Sequence, residues 1–481
     1  AVIHEAEMLA REWSRDAVEV VCVGDSSSWM APLRDTQISE VNLDKFGPVD
    51  SANQAASWTA DQPVVFPLID YGLFQDRDTT YDVQVGDVWP GVRVKHLLDR
   101  AFTNIGYSLK FEGLALDKYR KLILPFSGKE VPAAPEQLVA NACTSTLSAP
   151  VTPVFSGAPP HRCTLPTDTA VSDPSGLFSG TAYVPQLTGL TDVRATIEVS
   201  YNHPTFGGST ILPGFVYVTV NGIPRAVQIF HVFPNTPGLV ARVLEVDLKN
   251  IPTVAGLPCE LKFGAYTQYT GALLTSFTVN ACTIAWTPSQ FNWQEGIEFY
   301  PTKTLPKMTV AEMFGSICKI VNGVVSTDDL SKSVIVRHMD EHFLPTTQGD
   351  DWTGIQDMAT APSSERTVSP LVFNFKYKED NNDKGTDEWA NNERPYGGYN
   401  FDMGRPRSGV TEVACAFAPT YMGYRFDAGC YIPVMIEKSN EGNTEFKTSF
   451  QPRLLYFDGL TTGRWTFDGT ALDEHPKAWF V

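Results

Sequence analysis

The stretch FVYVTVNGIPRAVQIF, at residues 215–230, places the dipeptide Asn221-Gly222 between two runs of β-branched and aromatic residues. Asn-Gly is favoured in the two-residue turn of a β-hairpin because both turn positions need a positive φ. The stretch therefore predicts two antiparallel strands joined by a tight turn.

Alternation of apolar and polar residues extends this pattern on both sides of the hairpin. It is present in TDVRATIEVS at 191–200, in RVLEVDL at 242–248 and in FTVNACTIAW at 277–286. Short strands at such spacing predict an antiparallel β-sandwich or jelly roll over 180–290. The Ser-, Pro- and Ala-rich residues 144–179 show no period and are interpreted as a linker.

Helical periodicity occurs in both flanks of this region. Pro90 is expected in the first turn of a helix, with an apolar stripe formed by Val94, Leu97, Leu98, Ala101, Phe102 and Ile105, and Gly106 is expected to end the helix. Thr309 and Glu312 predict the capping box of a second helix, with Met313, Phe314 and Ile317 on its apolar face. Each helix is followed by a predicted strand. We therefore expect two flanking modules, 1–143 and 291–481, that pack as one β-rich unit.

Two further segments complete this organisation. The apolar run VVFPLIDYG, at 64–72, is interpreted as a buried strand interrupted at Pro67. The polar stretch at 378–405 is rich in Gly, Asn and Asp and predicts a long surface loop. The expected fold class is mainly β with a few helices, with barrel-like flanking modules and an inserted sandwich.

The composition restricts the possible partners. The chain has 481 residues, with 37 basic and 55 acidic side chains and a net charge of −18. Such a chain repels phosphates, so nucleic-acid binding is not expected. No window approaches the roughly 20 apolar residues of a membrane helix. The eight cysteines include no CxxC pair and predict buried free thiols in a reducing cytoplasm, although Cys143 and Cys163 could bridge a loop.

Two motifs suggest enzymatic chemistry. Ser26 follows a buried strand in VEVVCVGDSSS, as the nucleophile does in GDSL-type esterases, but the DxxH and GxND segments of that class are absent and His475 lies in DEHP. His338 and His342 match the HxxEH zinc motif, which requires a helix. Because an alternating run, SVIVR, precedes this motif, a surface turn is expected instead. No catalytic residue, metal or cofactor is therefore predicted.

Two sets of residues could either bind a ligand or have only a structural role. Asp380, Asn382 and Gly385 fit three positions of a calcium loop, whereas Lys384 and Asn391 do not fit. In the sandwich, the aromatic side chains of Tyr201, Tyr266 and Tyr269, with His203, could line a glycan-stacking surface, although such residues also pack in cores.

Several segments together resemble a family of tail proteins from bacteriophages and prophages of Bacteroidetes-type hosts. They are Trp29 with Leu33-Arg34-Asp35, VVFPLIDYG, VKHLLDRAFTNIGYSL, LPKMTVAEMFGSICKIVNGVV, PRLLYFDGL and EHPKAWFV. The resemblance covers roughly residues 1–140 and 295–481. Members of the family usually carry further sequence at both ends.

The resemblance implies a baseplate or tail-hub platform at the distal end of the tail tube, assembled in the bacterial cytoplasm as a homotrimer with other tail proteins. DNA would pass the acidic hub without being bound. The sandwich resembles carbohydrate-binding-type modules and would face outward, towards protein or host surface glycans. The alternatives are a secreted carbohydrate-binding adhesin and a GDSL-type esterase that uses Ser26.

Overall fold

The computed structural model describes most of the chain. The described residues are 6–13, 18–24, 28–72, 82–128, 130–154, 161–203, 212–233, 238–265, 277–328, 330–342, 372–386, 397–402, 409–425, 429–437 and 450–481. By contacts, the chain divides into two compact units: Ala1–Glu130 with Tyr300–Val481, and Val131–Phe299. We call them the flanking unit and the inserted unit.

The elements follow one another in chain order. The first flank contains β1 Ala6–Trp13, β2 Val18–Gly24, α1 Met30–Asp35, a 3-10 turn Ile38–Glu40, α2 Ser51–Ser57, β3 Val64–Val65, β4 Asp82–Val83, a 3-10 turn Val85–Asp87, β5 Gly91–Arg93, α3 Val94–Asn104, β6 Ser108–Phe111, α4 Gly113–Arg120 and β7 Leu122–Leu124. The inserted unit contains α5 Pro135–Ala140, β8 Cys143–Thr146, β9 His161–Thr164, β10 Thr169–Ser172, β11 Phe178–Ser179, β12 Ala182–Tyr183, β13 Gly189–His203, β14 Leu212–Val220, β15 Ile223–Phe233, β16 Gly238–Thr253, β17 Cys259–Ala265 and β18 Thr278–Phe291. The second flank contains a 3-10 turn Pro301–Thr304, α6 Val310–Ile320, β19 Gly323–Asp328, β20 Ser333–His338, α7 Met339–His342, β21 Val372–Lys376, β22 Tyr399–Asp402, β23 Val410–Ala414, β24 Tyr421–Arg425, β25 Cys430–Val434, β26 Leu455–Phe467 and β27 Thr470–Phe480.

The inserted unit is an antiparallel sandwich of two sheets. One sheet has the order β10-β8-β18-β13-β16, and the other has the order β11-β12-β17-β14-β15 with β9 paired to β17. Asn221 and Gly222 have φ values of 48° and 75° in the turn between β14 and β15, which confirms the predicted hairpin. The predicted linker at 144–179 is wrong as a structureless segment, because β9, β10, β11 and nearly all of β8 lie in it and belong to these sheets.

The core of the sandwich lies between the two sheets. Along β13, every second side chain from Val193 to Tyr201 is buried there, because successive residues of a strand point to opposite faces. Gln228 of β15 links the neighbouring edges of the sheets, since its amide accepts from Asp247 N at 3.0 Å and donates to Glu245 O at 3.3 Å on β16. This side chain takes the place of a backbone pair between the two edge strands.

The flanking unit contains several smaller sheets. Their orders are β1-β2, β19-β20-β6, β22-β21-β23, β24-β25 and β27-β26-β7-β5-β3, with β4 paired to β26. The apolar run at 64–72 is buried as predicted, but only Val64–Val65 forms a strand. Strand pairs between β20 and β6 and between β26 and β7 join residues from the two flanks.

The two predicted helices position the core of the flanking unit. Thr309 caps α6, its Oγ1 accepting from Glu312 N at 3.1 Å, so the capping box is confirmed. The α3 prediction is wrong at its start, because β5 intervenes between Pro90 and the first helical residue, Val94. Gly106, with a φ of 78°, follows α3 as expected.

The buried faces of these helices meet in one cluster. Trp29, Phe102 and Phe314 contact one another, with ring centroids 5.3–5.6 Å apart. Leu97, Leu98, Met313 and Ile317 belong to the same core. The prediction that the two flanks pack together is therefore confirmed.

The fold class is mainly β, as the sequence predicted, with several antiparallel sheets and one half-barrel. Seven cysteines are described as free thiols, and five of them are buried: Cys143, Cys163, Cys259, Cys282 and Cys318. Cys143 and Cys163 are thus not bridged. None of the helices in the described part of the chain is long and apolar enough to span a membrane.

Candidate interaction surface

The predicted glycan-contact residues do not form a surface in the described residues. Tyr201 is fully buried in the sandwich core, where its ring stacks on Phe277 with centroids 6.5 Å apart. Its assignment as a glycan contact is therefore wrong. Tyr266 and Tyr269 lie outside the described residues, as does the side chain of His203.

The HxxEH residues have a structural role. Met339–His342 form a single helical turn after β20 rather than the expected plain turn. Glu341 accepts hydrogen bonds from Leu114 N at 3.1 and 3.3 Å, at the start of α4, where unpaired amide groups need acceptors. Among the described residues, no three His, Cys, Asp or Glu side chains are grouped to hold a metal. Ser26 lies outside the described residues.

The proposed calcium loop holds an arginine instead. Arg453 is fully buried, and its Nη2 donates to Asp380 Oδ2 at 2.5 Å and to Asp383 Oδ2 at 3.0 Å. Burial raises the pKa of Asp383, and the positive charge of Arg453 opposes that rise. Because Asp380 and Asp383 are buried, the prediction that all of 378–405 is a surface loop is also wrong.

An exposed aromatic surface lies on the sheet β22-β21-β23. Antiparallel pairing places Phe373 opposite Phe401 and Phe375 opposite Tyr399, so all four rings share one side of the sheet. Phe375, Tyr399 and Phe401 are 41%, 63% and 45% exposed. We call these four residues the aromatic face.

The opposite side of the same sheet is mostly polar, although Val372 of β21 and Val410 of β23 also lie on it. Asn374 and Asn400 are paired across β21 and β22, and Lys376 bonds Glu412 of β23 at 2.5 Å. The aromatic side of this sheet is thus the more apolar one, and three of its four aromatic residues are exposed. Contiguous exposed apolar surface of this kind marks a site of protein association or ligand binding.

The spacing of the aromatic residues in the sequence is a signal for this surface. Phe373 and Phe375 are separated by one residue, and so are Tyr399 and Phe401, which is the period of a strand. The second pair lies within the polar stretch 378–405, whose composition is typical of a loop.

Comparison with known proteins identifies no family. No family model and no curated protein matches the chain. Among solved structures, the globular domain of the zebrafish complement 1qA protein is 10% identical over 34% of this chain and 99% of that chain, with a TM-score of 0.21. Dimeric latent PorU from Porphyromonas gingivalis is 13% identical over 35% of this chain and 12% of that chain, with a TM-score of 0.15. The structure of T=1 particles derived from infectious bursal virus is 11% identical over 35% of this chain and 55% of that chain, with a TM-score of 0.14. Likenesses at this level identify neither a fold family nor a function.

Proposed function

We propose that this chain is a structural, non-enzymatic subunit of a bacteriophage tail, which forms the hub or baseplate platform at the distal tail tube. The observation that supports an assembly role most directly is the aromatic face. Rings that are 41–63% exposed in a single chain lose contact with water when a partner covers them, and this favours association.

The identity of the assembly follows from the resemblance of the flanks to phage tail proteins. Self-association as a trimer and contacts with other tail proteins are part of this proposal. The net charge of −18 agrees with a hub that lets DNA pass without binding it. The inserted sandwich would supply an outward module for protein or glycan contact.

Substitutions on the two sides of one strand test the assembly role. The double variant Tyr399→Asp with Phe401→Ser places polar groups on the aromatic face, whereas the control Asn400→Ser changes the opposite side of β22. Light scattering after size-exclusion chromatography should show an oligomer for the unchanged chain and the control, and a monomer for the double variant.

Localisation tests the tail assignment separately. Mass spectrometry of purified phage particles and gold-labelled antibodies should place the protein at the tail tip. A chain that stays monomeric at every concentration and is absent from particles contradicts the proposal.

Ester hydrolysis that is lost in Ser26→Ala would favour the esterase alternative, and a secreted monomer that binds glycan would favour the adhesin.

A further inference from the structure

A cleft of about 370 Å³ in the flanking unit is lined by four cations. Arg93 and Lys95 come from the junction of β5 and α3, and Arg120 and Lys121 come from the end of α4. Trp58 and Phe457 supply aromatic walls. Such a concentration of basic side chains is unusual in a chain with 37 basic and 55 acidic residues.

Arg93 is the buried cation of this cleft, with only 9% of its surface exposed. Its Nη2 donates to Ser57 O and Ala60 O, both at 3.2 Å, and its guanidinium carbon lies 5.2 Å from the centre of the Phe457 ring. Its Nε is buried and has no hydrogen-bond partner among the residues that the structure describes. A guanidinium has five N–H donors, so capping the end of α2 uses only part of this group.

The other charges of the cleft are unevenly paired. Lys95 bonds Asp99 at 3.1 Å, and Lys121 bonds Asp458 at 2.6 Å. Asp61, the carboxylate that lines the cleft, is held by His96 at 2.9 Å. Arg120 is exposed and makes no ion pair with a described residue. Arg93 and Arg120 are therefore the two cations whose charge is not matched by a directly bonded carboxylate.

We infer that this cleft binds an oxyanion, the phosphate or carboxylate group of a ligand, between Arg93 and Arg120. A guanidinium group can donate two parallel N–H hydrogen bonds to two oxygens of either a carboxylate or a phosphate, and these hydrogen bonds are charge-assisted. Burial of Arg93 beside Phe457 strengthens its bonds because the local dielectric is low. Burial also lowers the pKa of Arg93, a cost that a bound anion would offset.

Thermal unfolding of the full chain during titration tests the site. The probes are inorganic phosphate and succinate, each compared with sodium chloride at equal ionic strength. Phosphate stabilises proteins generally by exclusion from their surface, so the variants provide the reference. Arg120→Ala removes the exposed cation of the cleft, and Arg464→Ala removes an exposed arginine of β26 that does not line it.

A saturable rise in melting temperature is expected for the unchanged chain and Arg464→Ala, with binding at least about tenfold weaker in Arg120→Ala. Saturation with phosphate alone identifies a phosphoryl ligand, whereas saturation with succinate alone identifies a carboxylate, such as an acidic side chain. The conservative variant Arg93→Lys should also bind more weakly, because a lysine lacks the guanidinium fork. Equal, non-saturating shifts in all variants would overturn the inference and leave Arg93 as a helix cap only.

Discussion

The two units build their cores in different ways. The inserted unit buries alternate residues of long strands, such as Val193 to Tyr201 of β13, and its strands lie within one continuous stretch of chain. The flanking unit joins residues that are far apart in sequence, as when Trp29 Nε1 donates to Thr327 Oγ1 at 3.1 Å. Local pattern is therefore sufficient to detect the long strands of the first core, whereas the second core depends on pairings that no local pattern specifies.

Among the substitutions that test this difference, Phe102→Ala is expected to have the largest effect on stability. Phe102 is fully buried between Trp29 and Phe314, so its truncation should destabilise the flanking unit by about 3–5 kcal/mol. Hydrogen exchange measured by mass spectrometry should increase in α3 and α6 and remain unchanged in β13 and β18. Equal loss of protection in the sandwich would show that the two cores unfold together.

A smaller effect is expected at the turn of the sandwich hairpin. Gly222 has a φ of 75°, and an added Cβ would meet no atom within 4 Å, so Gly222→Ala costs only backbone strain. The expected loss is about 1–2 kcal/mol in the free energy of unfolding of the inserted unit. Urea unfolding checks the value, and an unchanged midpoint would contradict the turn geometry.

The flanking unit should also respond to acid through His475. This side chain is 1% exposed, and burial lowers its pKa, so the folded state favours the neutral ring. The contribution of His475 to the free energy of unfolding is complete above pH 6.5, roughly the ordinary pKa of histidine. It is lost as the pH falls below that value, at a rate of at most about 1.4 kcal/mol per pH unit.

Unfolding free energies at pH 7.5, 6.0 and 5.0 measure this loss. The variant His475→Gln removes the titrating group and should have a flatter profile than the unchanged chain. Parallel profiles would mean that other groups cause the acid sensitivity.

The smallest expected effect is a gain in stability instead of a loss. Gly315 lies inside α6, its φ is outside the left-handed region, and an added Cβ would meet no atom within 4 Å. Gly315→Ala should stabilise the flanking unit by about 0.5–1 kcal/mol because alanine has the higher helix propensity. A lower melting temperature would show that the helix surface near Gly315 is more crowded than the structure indicates.

Much of the fold could be predicted from local chemistry. Asn221-Gly222 identified the hairpin and Thr309 with Glu312 identified the start of α6, because turns and caps depend on adjacent residues. The linker at 144–179 was mistaken because its strands are short, lie among Ser and Pro residues, and are specified by partners such as β17 and β18. Propensity alone does not detect strands that tertiary pairing defines.

The site was predicted less well, for two different reasons. Tyr201 lies on the same side of β13 as Val193 and Ile197, so the alternation that predicted β13 already placed its side chain in the core. The roles of Asp380 and Asp383 depend on Arg453, about seventy residues away, which no spacing rule connects to them. The pairing of β21 with β22, which creates the aromatic face, is likewise a long-range feature.

The ends of the sandwich meet like the two arms of a hairpin. Ala133 forms an antiparallel bridge with Phe299, and Ala134 N donates to Glu298 O at 2.7 Å. A turn of about 2–5 residues could therefore replace everything between them without moving either arm. The cost of closing such a loop depends only weakly on its length, so the position tolerates deletion, enlargement or exchange of the module. Descendants of one scaffold could thus acquire different modules at this point by recombination while the residues on either side stay the same.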